Sequence, residues 1–200
     1  MSAKPARPRA GATPAAGAGR PPEAAVVTDI RAIRERARKH IEDGAITDSY
    51  TADRGTVIKL LNEALATEIV CVLRYKRHYF MASGLMADAV KAEFLEHANQ
   101  EQAHADRIAE RIVQLGGEPD LNPDVLSSRA HAEYVEGSDL RDMVKEDLVA
   151  ERIAIDSYRA IIDYLGDRDT TTKRMMEDIL AQEEEHADEL ADLLDGWTGG

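Results

Sequence analysis

Two stretches of this sequence carry the same set of carboxylate and imidazole side chains. The string Gln-Glu-x-x-His-Ala-Asp occurs at residues 100–106 and again at residues 182–188. On a helix, a glutamate and a histidine three positions apart lie on one face, about 5–6 Å from each other, so both side chains can reach one cation. Carboxylate and imidazole donors suit iron or manganese better than a metal that prefers thiolate ligands. The repeated motif therefore predicts a metal site.

A further glutamate precedes each copy of the motif. Glu68 lies 33 residues before Glu101, and Glu151 lies 32 residues before Glu183. The spacing suggests that each Glu-x-x-His pair reaches one ion and that Glu68 and Glu151 can bridge to a second ion beside it. A network of ion pairs among the same side chains is the alternative interpretation. Two ions need roughly six donor residues, and the predicted metal ligands are Glu68, Glu101, His104, Glu151, Glu183 and His186.

These ligands interrupt the apolar stripes of four predicted helices. Apolar side chains recur at spacings of three and four residues over residues 56–82, 87–115, 139–165 and 169–194. Each stripe contains one glutamate near its middle, and burying an unpaired carboxylate costs several kcal/mol. Cations placed among the four carboxylates would remove that cost. Glycines predicted to end the helices are Gly84, Gly116, Gly166 and Gly196.

The lengths of the connections predict the topology. Links of only a few residues join the first helix to the second and the third to the fourth, so each pair forms an antiparallel hairpin. The middle link, residues 116–138, contains 23 residues, which is enough to travel along a helix of about 40 Å. We therefore predict an all-α four-helix bundle whose second and third helices run parallel. The alternative is a loose loop between two separate hairpins.

The composition excludes several other classes of protein. Aromatic residues make up 4% of the 200 residues, and the chain has one cysteine. A β-sandwich normally contains more aromatic side chains, and a single cysteine cannot form an internal disulfide. No apolar run approaches the length of a membrane span, and no signal peptide is recognisable. We expect a cytoplasmic protein without a membrane partner.

The charge is divided between a basic N-terminal segment and an acidic body. Residues 1–42 have a formal net charge of +5, and the remaining residues have −18. The basic segment either contacts the phosphate backbone of DNA or only aids solubility. A short helix is predicted at residues 28–42, capped by Thr28 and ended by Gly44. The predicted organisation is a disordered arm rich in Ala, Pro, Gly and Arg at 1–25, a short basic helix and linker at 26–53, the bundle at 54–196 and a tail at 197–200.

Over residues 55–195, these motifs are similar to those of the ferritin-like di-iron carboxylate proteins, and they resemble bacterioferritin most closely. The resemblance implies a ferritin-like bundle in which the six predicted ligands bind two iron ions within one subunit, and in which the Glu-x-x-His glutamates bridge them. Manganese is the alternative metal. The implied function is a ferroxidase that oxidises Fe²⁺ with O₂ or H₂O₂ and mineralises ferric iron inside a homo-oligomeric shell. Tyr75 matches the tyrosine beside the family's centre and is predicted to donate an electron, with core packing as its alternative role.

The sequence departs from the bacterioferritin pattern at two places. Gln102 stands where the family's haem-ligating methionine stands, so haem binding is not expected. The chain ends 14 residues after His186, without a fifth helix. Together with the basic arm, this length resembles the starvation-type (Dps) ferritins, which favours a twelve-subunit cage over a 24-subunit cage. Dps proteins usually place iron between subunits, whereas the ligands predicted here lie within one bundle.

Two other functions remain open from the sequence. One is a DNA-binding and DNA-protecting shell protein of the Dps kind. The other is a different di-metal oxidoreductase, such as a peroxidase, a manganese catalase or a hydroxylase. Four further residues are notable: His97 as an entry residue or a packed core histidine, Glu184 and Glu185 as an iron path or a solvated charge run, and Cys71 as a small buried residue.

Overall fold

The computed structural model describes residues 29–84 and 87–197, and no strand occurs in these ranges. The helices are α1 (Ile30–Arg36), α2 (Arg54–Met81), α3 (Ala87–Gln114), α4 (Leu126–Arg129), α5 (Leu140–Leu165) and α6 (Thr170–Gly196), with a 3₁₀ turn at Ile41–Asp43. The all-α prediction is confirmed. None of the described helices combines the length and hydropathy that a bilayer span requires.

The N-terminal helix differs from its prediction. It covers seven residues instead of residues 28–42, and Asp29 caps it by accepting hydrogen bonds from two backbone N–H groups. None of its residues is buried, so tertiary packing does not extend it beyond its intrinsic propensity. Thr28 and the predicted arm at 1–25 lie outside the described residues.

The ends of the four long helices follow local chemistry. Asp53, Asp139 and Asp169 each accept a hydrogen bond from a backbone N–H in the first turn of α2, α5 and α6, a contact typically worth about 1 kcal/mol. At the C-terminal end of α5, Gly166 adopts a φ of 50°, as its predicted role requires. Gly196 does not have the predicted role, because it is the last helical residue of α6 and Trp197 is the C-cap.

Contacts between helices establish the predicted topology. On α2 and α5, Arg74 pairs with Asp147 while Glu68, further back along α2, meets Tyr158, further on along α5. The two helices are therefore antiparallel. Since α2 is also antiparallel to α3 through a short link, α3 and α5 run parallel, as the long connection predicted.

The connection between α3 and α5 is fixed along the side of α2. Asn62 Nδ2 donates to the carbonyl of Glu118, and Thr67 Oγ1 accepts from the backbone N–H of His131. Further along α2, Arg74 Nη1 donates to the carbonyl oxygen of Glu133 at 2.8 Å. The connection thus follows α2 from one end of the bundle towards the other, and the alternative of a loose loop between two hairpins is wrong.

The bundle interior consists of two apolar clusters with a polar layer between them. One cluster joins the N-terminal halves of α2 and α6 to the C-terminal halves of α3 and α5, and includes Leu61, Ile108, Leu165 and Met176. The other occupies the opposite end and includes Cys71, Phe94, Val144 and Leu190. Cys71 is buried, as predicted. The two clusters shield the middle of the bundle from water at both ends.

Candidate metal centre

The polar layer contains all six predicted ligands. Each of the four long helices contributes one glutamate, and α3 and α6 each add a histidine one turn further on. None of the six residues is more than 2% exposed. Their donor atoms form two groups, within each of which all the atoms lie no more than 4.8 Å apart: Glu68, Glu101, His104 and Glu183 in one, and Glu101, Glu151, Glu183 and His186 in the other.

Glu101 and Glu183 belong to both groups, so the carboxylate of each could reach both ions of a pair held there. The antiparallel packing of α3 and α6 explains this, because each motif glutamate faces the histidine of the opposite motif. His104 Nδ1 lies 3.1 Å from Glu183 Oε1, and His186 Nδ1 lies 3.2 Å from Glu101 Oε1.

The other two glutamates lie at the outer ends of the pair of groups. Glu68 Oε2 lies 3.5 Å from His104 Nδ1, and Glu151 Oε2 lies 3.9 Å from His186 Nδ1. Each therefore belongs to one group only. Glu101 and Glu183, rather than Glu68 and Glu151, lie near the donor atoms of both groups, which favours the order implied by the family resemblance; which glutamates bridge the ions stays a prediction.

Two glutamines orient the histidine rings. Gln182 Oε1 accepts from His104 Nε2 at 2.8 Å, and Gln100 Oε1 accepts from His186 Nε2. When Nε2 carries the proton that it donates, the lone pair of a neutral imidazole lies on Nδ1, which faces the carboxylates. The sequence analysis assigned no role to these glutamines, although each begins one copy of the repeated motif.

Two tyrosines orient the outer glutamates. The Tyr75 hydroxyl donates to Glu151 Oε1, and the Tyr158 hydroxyl donates to Glu68 Oε1. Both tyrosines are buried, and burial raises the pKa of each hydroxyl well above its ordinary value, so both remain protonated donors. Tyr75, the predicted catalytic residue, also lies 3.3 Å from His97 Nδ1.

The titration of the metal-free cluster follows from its burial and its internal charges. Burial, together with the carboxylate of Glu101, raises the pKa of Glu68 to about 8. Burial, Glu101 and Glu183 raise the pKa of Glu151 well above its ordinary value. Glu68 and Glu151 are therefore protonated at neutral pH.

The two histidines and the two shared glutamates take the charged forms. Burial opposes protonation of His186, but Glu101 and Glu183 outweigh it and raise its pKa to about 9. The same balance raises the pKa of His104 well above its ordinary value. Burial opposes ionisation of Glu101 and Glu183, and so do the charge of Glu183 for Glu101 and the charge of Glu68 for Glu183. Contacts with Glu68 and the two histidines nevertheless lower the pKa of Glu101, and contacts with the two histidines lower the pKa of Glu183. Two imidazolium and two carboxylate ions leave the cluster electrically neutral.

Seven buried atoms of this cluster have no hydrogen-bond partner. They are Glu68 Oε2, Glu101 Oε1, His104 Nδ1, Glu151 Oε2, both carboxylate oxygens of Glu183, and His186 Nδ1. Buried polar atoms are normally hydrogen-bonded, and each exception needs an explanation. Here every one of the six residues contributes at least one such atom to the same space. This donor set of nitrogen and carboxylate oxygen fits a pair of first-row transition-metal ions.

The remaining residues singled out from sequence have different surroundings. Glu184 and Glu185 are exposed, and Glu184 pairs with Arg159. Gln102, at the position relevant to haem, is partly exposed and donates to Asp106. These three motif neighbours belong to neither of the two groups of donor atoms. His97, by contrast, is 1% exposed and lies directly beside the cluster.

A second buried polar network was not anticipated from the sequence. Arg74 Nε donates to Asp147 Oδ1 at 2.8 Å, and His78 Nδ1 lies 2.7 Å from the other oxygen of the same carboxylate. His78 Nε2 faces the backbone carbonyls of Val135 and Glu136. This network joins α2, α5 and the connecting segment on the Phe94 and Val144 side of the predicted ligands. Asp147 is 73 residues from Arg74 and on another helix, and the three side chains show no repeated spacing, so no sequence signal revealed the network.

Comparisons with known proteins agree with this geometry. The profile of the Ferritin family, described as a ferritin-like domain, matches residues 58–198. The bacterioferritin of Brucella melitensis is 32% identical over 142 residues, which cover 70% of this chain and 83% of the relative.

Two solved structures extend the likeness to the fold. A dodecameric thioferritin, the bacterioferritin-related protein from Bacteroides fragilis, is 34% identical with a TM-score of 0.71, covering 74% of this chain and 89% of that chain. A ferritin-like, diiron-carboxylate protein from Bacillus anthracis is 28% identical with a TM-score of 0.64, covering 72% and 99%. With the ligand cluster, the profile match and these relatives in agreement, the chain belongs to the ferritin-like family.

Proposed function

We propose that this protein stores iron in a homo-oligomeric shell and oxidises it at the buried cluster. In this proposal, Glu68, Glu101, His104, Glu151, Glu183 and His186 bind two Fe²⁺ ions as substrate. The observation that carries the proposal is the set of seven unpartnered buried atoms, because they come from all six residues and face one another. Relatives described as a bacterioferritin and as a diiron-carboxylate protein support the assignment of iron.

The charges of the cluster suit a pair of divalent ions. Four carboxylates supply four negative charges, which two Fe²⁺ ions balance once both histidines are neutral. In the metal-free chain, protons on Glu68, Glu151 and the histidines provide the same balance. Binding therefore exchanges protons for cations without leaving net charge in the dry interior, where net charge is costly.

The proposed reaction transfers one electron from each Fe²⁺ ion to a shared oxidant. The two electrons and two protons reduce O₂ to H₂O₂, or H₂O₂ to two molecules of water. The shared glutamates hold both ions close, so both electrons are delivered at one place. Tyr75 would supply one of the two electrons when only one Fe²⁺ ion is oxidised: it would pass one electron to the oxidant and its phenolic proton to Glu151, to which its hydroxyl is hydrogen-bonded, and would be left as a tyrosyl radical.

The proposed assembly is a cage of identical subunits in which the ferric product mineralises. The related Bacteroides fragilis protein is described as dodecameric, and closed symmetric assembly is usual for homo-oligomers. Twelve chains of 22.0 kDa give about 264 kDa, which size-exclusion chromatography with light scattering distinguishes from a 24-subunit cage. DNA binding by the basic arm stays a prediction, because residues 1–25 lie outside the described part of the chain.

The test adds Fe²⁺ in air to the wild-type protein and to Glu101→Gln, which replaces a shared ligand with an uncharged amide. The control is Glu110→Gln, an exposed glutamate on the same helix. The wild type and the control should give a soluble ferric product. Glu101→Gln should oxidise iron at least about 100-fold more slowly, and ferric iron should precipitate. Loss of a residue that only hydrogen-bonds a metal ligand already lowers metal affinity or activity about 10–100-fold. Equal rates for the two variants would refute the proposed function.

A further inference from the structure

A third group of possible metal ligands lies between the buried cluster and the surface. It consists of Glu93 and His97 on α3 and Glu189 on α6, whose donor atoms lie within 4.8 Å of one another. His97 Nε2 is 2.9 Å from Glu189 Oε2. The imidazole is 1% exposed, whereas the Glu189 side chain is 43% exposed. The group thus reaches from water to the interior.

The two-fold repeat of the chain makes this group conspicuous. An offset of 82 residues superposes the motif of α3 on the motif of α6, since it relates Glu101 to Glu183. The same offset relates Glu93 to Met175 and His97 to Ile179, and it relates Glu189 to Arg107. The equivalent place in the other half therefore has two apolar residues and a cation. The predicted ligands on α3 and α6 occur in both halves of the repeat, whereas Glu93, His97 and Glu189 have no metal-binding counterpart in the other half.

His97 connects this group with the buried cluster. Its ring stacks on that of His186, with centroids 4.1 Å apart and planes inclined by 21°. A nitrogen of His97 also lies within 4.8 Å of donor atoms of Glu151 and His186, so His97 belongs to an inner group as well as the outer one. On its inner side, Nδ1 approaches the Tyr75 hydroxyl. One ring nitrogen therefore faces the surface carboxylates and the other faces the centre.

We propose that Glu93, His97 and Glu189 form a third cation site, which binds a divalent transition-metal ion on its way between the surface and the buried cluster. This inference deepens the proposed function and rests on it. Two carboxylates neutralise one divalent ion, and their exposure allows it to keep some of its water. The imidazole favours a transition metal over Mg²⁺ or Ca²⁺, which prefer oxygen ligands. Transfer inward exchanges these ligands for those of Glu151 and His186.

The test counts bound Zn²⁺, a redox-inert probe, by isothermal titration calorimetry in the presence of excess Mg²⁺. Three proteins are compared with the wild type. Glu93→Gln/Glu189→Gln removes the outer carboxylates, and Glu101→Gln/Glu183→Gln removes the shared inner carboxylates. Glu185→Gln is the matched control, since it removes an exposed carboxylate from the same helix that belongs to none of the described ligand groups.

The proposal predicts three Zn²⁺ ions per chain for the wild type and for the control. The outer variant should bind two, and the inner variant should bind one. Crystals of the Zn²⁺ complex should show an anomalous peak beside His97 that the outer variant lacks. Two ions in both the wild type and the outer variant would overturn the third site and leave the buried centre standing. Failure of the wild type to bind any ion would instead overturn the proposed function.

Discussion

The metal-free cluster contains four protons that two divalent cations must displace. At pH 7 these protons lie on Glu68, whose pKa is raised to about 8, on His186, whose pKa is raised to about 9, and on Glu151 and His104, whose pKa values are raised well above their ordinary values. Metal ligation requires carboxylate and neutral imidazole. Uptake of two ions at pH 7 is therefore predicted to release about four protons. With ordinary pKa values, the same six residues would release only about half a proton at pH 7.

The sign and size of the pH dependence follow from this proton count. Well below pH 8 the metal-free cluster keeps the protons on Glu68, Glu151, His104 and His186, so acidification opposes uptake. Each pH unit lost should weaken the joint binding of two ions about 10⁴-fold, or by about 5.4 kcal/mol, at 1.36 kcal/mol for each proton. As pH rises through about 8, Glu68 loses its proton in the metal-free chain and stops contributing to the pH dependence of metal binding. His186 does the same as pH rises through about 9.

The assay is Zn²⁺ calorimetry of Glu93→Gln/Glu189→Gln in buffers of different ionisation enthalpy. This variant confines the measurement to the buried pair of ions. The slope of the observed enthalpy against the buffer's ionisation enthalpy gives the number of protons released. A value near four at pH 7 is expected, and it should fall as pH rises through about 8 and then about 9, where Glu68 and His186 lose their protons. Fewer than three protons at pH 7 would refute the assignment of protons to these residues.

Two further changes test the surroundings of the centre. Gln182→Leu removes the acceptor that fixes the ring of His104. It should lower the affinity for one of the two Zn²⁺ ions of the buried cluster about 10–100-fold. The control Gln102→Leu should leave the affinity for both ions unchanged. Asp147→Ala leaves the buried guanidinium of Arg74 without its ion-pair partner and removes the carboxylate that faces His78 Nδ1. Urea unfolding of the metal-free protein should show a loss of about 3–5 kcal/mol, against less than about 1 kcal/mol for the exposed Asp178→Ala. A loss at Asp147 no larger than at Asp178 would contradict a stabilising role for the buried network.

The sequence predicts the long helices well because their signals are local. The alternating spacing of apolar residues gives α2, α3, α5 and α6 to within a few residues, and a 23-residue connection is long enough to fix the parallel pair. The six proposed ligands are recognisable for a related reason. A charged residue in the middle of an apolar stripe is costly unless something compensates it, so Glu68 or Glu151 stands out without any knowledge of its neighbours.

Relationships between helices are not visible in the same way. The shared position of Glu101 and Glu183 depends on how α3 and α6 are aligned, which no spacing within one helix specifies. The roles of Gln100 and Gln182 were missed for the same reason, since each glutamine serves a histidine 86 or 78 residues away. The short helix α1 was overestimated because its pattern is that of a helix, while its lack of buried residues limits its length.

The exchange of supporting contacts between the two hairpins has a mechanical consequence. Gln100 and Tyr75 of the first hairpin orient His186 and Glu151 of the second, while Gln182 and Tyr158 of the second orient His104 and Glu68 of the first. In these four contacts, each hairpin's predicted ligands are oriented by side chains of the other hairpin. Sliding one hairpin by a single helical turn, 5.4 Å, would break all four contacts together. Both proposed ion positions therefore depend together on the register of the hairpins.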